Sequence, residues 1–416
     1  MERCFIKLPE TTTNAAVAPA LEVDSARLRP YASHTHADIL VASLAPEEQR
    51  AAEAKGARIY KDFLFNPCIA SSHFFSSNLT SKYWEPADDP ASPPDGPWSA
   101  KTLQDVLLQV GAQEAWSNTR GTGATIVVVD SGLNTANGQF EASRISPLSF
   151  APSFSDGPLH DLLGHGSMVA CIAAGNKLRG GRYDGIAPEA TILVARTNYT
   201  ATDLYAIYDR LISLKKSGEL TGPIVVNNSF AVTQCAPDGR LPSDHPYAEI
   251  VREASRQGMI LVFAAGNNHA DLLCGNDPAS CTPNTIWAVN SLDEVIAVGA
   301  VNWQGLNSNG AHANSSRGPG EWSEKNLKPD CVAPCYGDVL WGSSYKVMEW
   351  WGTSGAAPLV SGTIALMLSH ANNKNRTLDL DAVRTVLLAS CKPLAHAAPT
   401  CVGRGMLQSG AAIALL

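Results

Sequence analysis

Three short segments carry the residue types of nucleophilic acyl transfer. Asp130 closes the apolar run Val127-Val128-Val129 and is followed by Ser131-Gly132, so a carboxylate ends a buried strand at a turn. His165 stands between Gly164 and Gly166, at the start of an apolar helical run and shortly after Asp161. Ser354 lies in Gly352-Thr353-Ser354-Gly355-Ala356-Ala357-Pro358, whose small side chains leave room for a substrate beside a helix start. Pro358 is read as a first-turn residue of that helix, where a missing N–H costs little. A serine hydroxyl is too weakly acidic to attack a carbonyl unaided. A neutral histidine that takes its proton, and a carboxylate that orients and stabilises the imidazole, supply the activation. Taken singly, Asp-Ser-Gly is an ordinary strand-ending turn and Gly-His-Gly an ordinary helix start. The serine segment is harder to explain by packing alone.

Elements must bring these residues together. From residue 101 onward, short β-branched runs at 125–129, 190–195, 224–227, 260–264 and 295–298 alternate with helical stretches at 165–174, 201–216 and 246–257. Continuous apolar strands of this kind belong to parallel sheets buried on both faces, and the alternation places helices over each face. In such sheets, function collects at the carboxyl ends of the strands. The fold class is α/β, with one large domain over 101–416. Ahead of it, 1–75 reads as a small α+β unit. Strands are expected at 4–8, 27–31, 37–44 and 57–65, a helix at 46–56 and a weaker one at 13–21. Pro46, the acids Glu47 and Glu48, and the terminal Gly56 mark the stronger helix. The order β-α-β-β-α-β is that of a ferredoxin-like split βαβ sandwich. Residues 76–100, dense in Pro, Asp and Ser, read as an extended linker.

Composition narrows the function classes. The 416 residues carry 31 Lys+Arg against 39 Asp+Glu, a net charge of −8. That balance, without a long basic run, argues against nucleic-acid and anionic-membrane partners. The longest apolar stretches fall far short of the ~20 residues that span a bilayer. The N-terminus lacks the apolar core of a secretory signal, which fits a cytoplasmic protein or a secreted one whose leader is absent from this sequence. Of the ten cysteines, Cys274/Cys281, Cys331/Cys335 and Cys391/Cys401 are close enough in sequence to bridge, while Cys171 should be a buried thiol. The spacing offers no zinc site, and the chemistry requires no metal or other cofactor.

From 101 to 416 the chain resembles a subtilisin-like serine protease, a subtilase. The resemblance is carried by Val-Val-Val-Asp130-Ser-Gly, Gly-His165-Gly-Ser-Met-Val-Ala and Gly-Thr-Ser354-Gly-Ala-Ala-Pro, with Gly185-Ile-Ala-Pro-Glu-Ala, Ala264-Ala-Gly-Asn267, Val295-Ile-Ala-Val-Gly-Ala and Ser315-Ser-Arg-Gly-Pro between or after them. It implies a catalytic triad of Asp130, His165 and Ser354, with Asn267 and the Ser354 N–H forming the oxyanion hole.

The resemblance also implies that an extended peptide or protein substrate is pinned between Ser229-Phe230-Ala231 and the stretch near 199–201, by strand addition. Ala231 stands where relatives have Gly, which questions the backbone path there. Counting back from Val295 puts Trp287 where relatives have a small residue. It either narrows the primary pocket or is an ordinary core residue. Gln139 replaces a calcium-ligating Asp of many relatives, so that site is expected to be absent or weak. By pattern, 1–75 resembles the family's inhibitory propeptide, with 76–100 holding the self-cleavage site or acting as tether. The alternatives are a permanent accessory domain, an acyl-transferring (macrocyclising) enzyme, or a non-catalytic binding form of the fold.

Overall fold

The computed structural model describes residues 2–9, 35–36, 38–67, 102–136, 138–176, 184–233, 240–270, 274–301, 310–341, 346–349 and 352–416. The N-terminal unit is a three-stranded antiparallel sheet in the order β2-β1-β3, formed by β1 (Glu2–Lys7), β2 (Ile39–Leu44) and β3 (Arg58–Lys61). Helix α1 (Pro46–Ala54) links β2 to β3. Pro46 opens it, and Glu48 reaches back to accept the Ala45 N–H at 2.7 Å. The expected helix at 13–21, the strand at 27–31 and the linker at 76–100 lie outside the described residues. A short strand, β4 (Asn66–Pro67), follows β3.

The large domain is built on a six-stranded parallel sheet, as the alternating pattern requires. Its strands are β5 (Thr125–Asp130), β6 (Thr191–Arg196), β7 (Ile224–Asn228), β9 (Ile260–Ala264), β10 (Val295–Val301) and β11 (Cys331–Pro334). They run in the order β11-β10-β9-β7-β5-β6. The two-residue strand β8 (Phe230–Ala231) lies outside this sheet and pairs with β4.

Strand period decides which face each side chain serves. Ile126 and Val128 of β5 join one apolar cluster with helices α2 (His165–Ala174) and α5 (Thr353–Asn373). Val127 and Val129 join the opposite cluster, with α3 (Ala201–Lys216) and α4 (Pro246–Arg256). The N-terminal sheet divides its side chains in the same way. Cys4 and Ile6 face α1 in a small core of their own, whereas Phe5, Ile39, Val41 and Tyr60 pack into the α3/α4 cluster. That unit is therefore docked on two helices of the large domain.

The cysteine pairing differs from the expectation. Cys281 is bridged to Cys401, 120 residues away, with Cα atoms 5.3 Å apart. Cys331, Cys335 and Cys391 are buried and outside any disulfide, as is Cys171. Proximity in sequence misled because the apolar packing of Val301, Val332, Val402 and Met406 brings 281 and 401 together in space. Among the described residues, no helix is long and apolar enough to cross a membrane.

Candidate active site

Asp130 is the last residue of β5, at the carboxyl end of the sheet, and His165 opens α2. His165 Nδ1 lies 2.6 Å from Asp130 Oδ1, and both side chains are fully buried. A carboxylate only accepts, so Nδ1 carries the proton, and in the neutral imidazole Nε2 is then the acceptor. Nε2 has no hydrogen-bond partner among the described residues. A buried ring nitrogen left unpaired costs about 1–3 kcal/mol.

Close approach of two backbone segments makes this pair possible. A Cβ at Gly166 would sit 2.1 Å from the Gly132 carbonyl oxygen, and one at Gly132 would sit 2.2 Å from the His160 carbonyl oxygen. Gly132 also holds φ +123°, which L side chains avoid. Asp161 ties the segments together. Its Oδ1 accepts from the Ser131 hydroxyl (2.7 Å) and the Gly164 N–H (2.9 Å), while Oδ2 accepts from the Ser167 N–H (2.8 Å) and hydroxyl (2.7 Å). The Gly166 N–H in turn donates to the Ser131 hydroxyl at 2.9 Å.

Ser354 is buried in the first turn of α5. Its hydroxyl donates to the Ser229 carbonyl at 2.9 Å rather than to His165, and the Ser229 hydroxyl donates to the Ser354 carbonyl at 3.0 Å. The second bond explains Pro358. That residue lies beyond the first turn, correcting the sequence expectation, and its missing N–H would otherwise have bonded the Ser354 carbonyl. Ser229 takes the vacated acceptor. Asn227 buttresses Ser229 through its amide at 2.9 Å and receives the Ser361 hydroxyl of α5 at 2.8 Å.

Asn267 follows β9 and is 8% exposed. Its Oδ1 accepts both the Thr353 N–H and the Thr353 hydroxyl at 3.0 Å. With the oxygen so committed, the amide NH₂ faces away from Thr353.

Ser229, Phe230 and Ala231 line one edge of a cleft that is already filled. Asn66 pairs antiparallel with Ala231 and Pro67 with Phe230. On the other edge the Phe65 N–H donates to the Tyr199 carbonyl at 2.8 Å, and the Ala201 N–H to the Phe63 carbonyl at 2.7 Å. The tail of the N-terminal unit is thus a strand between the two segments singled out from the sequence. Ala231 adopts the extended backbone without difficulty. Phe65 is buried with its ring edge-on to Phe230 (5.8 Å) and Tyr247 (5.2 Å), while Leu64 points outward, 60% exposed.

Trp287 is buried in the same apolar cluster as Phe230 and Phe263, at the start of a single 3₁₀ turn. Gln139 is buried, with its carbonyl accepting the Asn176 N–H. No group of three or more His, Cys, Asp or Glu side chains able to hold a metal converges among the described residues. Sequence reasoning gave no role to Asp161 or Thr353 and used Tyr199 only as cleft backbone. Asp161 had a local signal, an acid ahead of a helix start with Ser167 in the first turn. The side-chain partners of Thr353 and Tyr199 are remote in sequence and left none.

Residues 121–404 match the Subtilase family. The Major intracellular serine protease of Bacillus subtilis (strain 168) is 29% identical over 316 residues, 73% of this chain and 87% of that protein. Subtilisin-like protease 2 of Trichophyton equinum is 27% identical over 262 residues, 62% of this chain; the chain spans about half (53%) of that relative's length. Of solved structures, MycP1 from the ESX-1 type VII secretion system superposes with a TM-score of 0.57 at 18% identity, covering 80% of this chain and 90% of that one. MycP1 with the N-terminal propeptide removed gives 0.54 at 19% identity, covering 76% and 98%. At such identities the likeness is one of fold.

Proposed function

This chain belongs to the subtilase family of subtilisin-like serine proteases, and on that premise we propose that it is a serine endopeptidase that cleaves peptide bonds through an acyl-enzyme on Ser354, with residues 1–75 as its own inhibitory propeptide. The observation that carries this reading is the buried Asp130–His165 pair, whose second imidazole nitrogen has no hydrogen-bond partner among the described residues.

In the proposed cycle the tail leaves, the Ser354 side chain turns from the Ser229 carbonyl towards His165 Nε2, and the imidazole takes the hydroxyl proton as the oxygen attacks. Asp130 stays ionised and stabilises the imidazolium, which returns its proton to the leaving amine. The Asn267 NH₂ and the Ser354 N–H receive the developing oxyanion. Substrate lies where the tail lies, between 199–201 and Ser229-Phe230-Ala231. No cofactor enters these steps.

Two features support the inhibitory role of the N-terminal unit. Its tail occupies both edges of the cleft, and Ser354 and His165 have no exposed surface while it does. Polar contacts then fix its sheet on α3 and α4. Lys7 Nζ meets Glu249 at 2.8 Å, the Tyr60 hydroxyl donates to Asp244 at 2.9 Å, and the Thr202 N–H and hydroxyl donate to Asp62 at 2.9 and 2.8 Å.

Intact-mass measurement of the full chain beside Ser354→Ala, both at neutral pH, tests the proposal. Wild type is expected to split within residues 60–105 while the variant stays whole, and peptide hydrolysis by the variant should fall by roughly six orders of magnitude. Cleavage of the variant at the wild-type rate would remove Ser354 from the chemistry. An intact wild type that nonetheless labels with a serine-reactive fluorophosphonate would make 1–75 a permanent accessory domain rather than a propeptide. An amide-ligated rather than hydrolysed product would mark the acyl-transferring alternative.

A further inference from the structure

One residue reaches from the cleft edge to the Asp130–His165 pair, using its carbonyl, its ring and its hydroxyl on three separate partners. Tyr199 sits in the loop after β6 at φ +64°, a left-handed backbone that side chains bulkier than Gly rarely take. Strain of this kind, held by its surroundings, is a pointer to function. Here the surroundings are explicit: the Tyr199 N–H donates to the Thr197 hydroxyl at 2.9 Å, and the Thr197 N–H donates to the Asp130 carbonyl at 2.8 Å. The turned backbone aims the Tyr199 carbonyl into the cleft, where it accepts the Phe65 N–H at 2.8 Å. Its ring stands edge-on to Phe230 on the opposite cleft edge, with centroids 5.8 Å apart. Its hydroxyl runs beneath the cleft and donates to Asp130 Oδ1 at 2.8 Å.

That oxygen is the one that faces His165. It accepts from His165 Nδ1 (2.6 Å), the Tyr199 hydroxyl (2.8 Å) and the Ser131 N–H (2.8 Å), while Asp130 Oδ2 is buried with no partner among the described residues. Burial first, and the neighbouring Asp130 carboxylate next, hold the Tyr199 phenol well above its ordinary range, so it remains a donor throughout the working pH range. The other charged groups around the pair are accounted for. Asp161 on the loop before α2 is occupied by four donors, and Arg196, beside Asp130 on β6, is paired with Asp156 at 2.6 Å.

We infer that Tyr199 is a positioning residue for the catalytic carboxylate: its hydroxyl fixes the Asp130 rotamer and draws charge from Oδ1, while its carbonyl holds the strand in the cleft. The hydroxyl makes imidazolium formation less favourable than a bare carboxylate would, because a donor already shares the oxygen. It also places the proton-relay geometry under the control of the residue that pairs with the substrate backbone. The inference rests on the reading of Asp130, His165 and Ser354 as a triad, and its test is arranged to fail separately.

Two experiments decide it. In the full chain carrying Ser354→Ala, the low-field proton NMR spectrum should show the His165 Nδ1 proton and an exchange-protected Tyr199 hydroxyl proton with a cross-relaxation peak between them. Tyr199→Phe should remove the second resonance and move the first. This readout needs no protease activity, so it stands even if Ser354 proves not to be the nucleophile, and the cross-peak, read with Tyr199 in place, does not depend on Tyr199→Phe folding. In the active enzyme, Tyr199→Phe keeps the ring and the carbonyl, so kcat should fall about tenfold with KM changed less than about twofold. The acid limb of the pH–rate profile should move up by roughly half to one pH unit. A missing cross-peak, or a Tyr199→Phe enzyme whose pH profile overlays wild type, would reduce Tyr199 to a packing residue.

Discussion

Asn267 shows how much is asked of a single side chain. Its carboxamide oxygen is spent on Thr353, next to Ser354 in sequence, so the amide end is oriented before any substrate arrives. Preorganised donors of this sort stabilise developing charge without reorganising during the reaction. Asn267→Ala should therefore lower kcat by about 10²–10³-fold while KM stays near the wild-type value. Steady-state kinetics on a peptide substrate would check this; a loss confined to KM would make Asn267 a substrate-binding residue instead. Ser229 is a second residue with more than one duty. It bonds both the hydroxyl and the carbonyl of Ser354, and the latter bond exists because Pro358 cannot make it.

At the level of elements, the site depends on the amino end of α2 fitting against the turn after β5. Gly166 is the contact point, and any Cβ there meets the Gly132 backbone at 2.1 Å. Backbone rather than a flexible side chain is in the way, so α2 would have to shift. Gly166→Ala is expected to lower stability by more than about 2 kcal/mol, and to separate His165 from Asp130. Thermal unfolding beside an activity assay would read both; a fully stable and fully active variant would contradict the fit described. Residues 63–67 are the second element that matters, since the alternation of buried Phe65 and exposed Leu64 is what a strand laid in a half-open cleft must show.

At the level of the whole molecule, the N-terminal unit and the large domain meet around a buried histidine. His245 caps α4, its Nδ1 accepting the Tyr247 N–H at 3.1 Å and its Nε2 donating to the Lys61 carbonyl at 3.0 Å. The rings of Phe5, Tyr60 and Phe63 surround it. Burial pushes it down from 6.5 to about 4 in the docked state, against the smaller opposing effects of the Lys61 carbonyl and Asp244. A histidine depressed on docking favours the docked form fully above about pH 6.5 and loses that contribution as pH falls toward 4. Docking should weaken by up to about 20-fold between pH 7 and pH 5. Hydrogen exchange of β1 and of residues 58–67 in the full Ser354→Ala chain would measure it. His245→Asn, which keeps an acceptor at the cap, should flatten the dependence; an unchanged slope would show that His245 does not carry it.

The sequence by itself determined the parts whose signals are local. Strand and helix periodicity marked the parallel sheet, because an element's own apolar pattern records which faces it buries. Asp130, His165, Ser354 and Asn267 stood in segments of distinctive small and turn-forming residues, so their positions were legible before any coordinates. Only the tertiary structure decided what depends on residues far apart in the chain. The Cys281–Cys401 bridge, the Tyr199 hydroxyl on Asp130, and the exchange of Pro358's lost bond for one from Ser229 each join partners more than 65 positions apart. No local pattern encodes such contacts, because they are selected by the packing of whole elements rather than by neighbouring residues. The covered state of Ser354 belongs to the same class, since Phe63 to Pro67 lie between β8 and the 199–201 segment, both from a distant part of the chain.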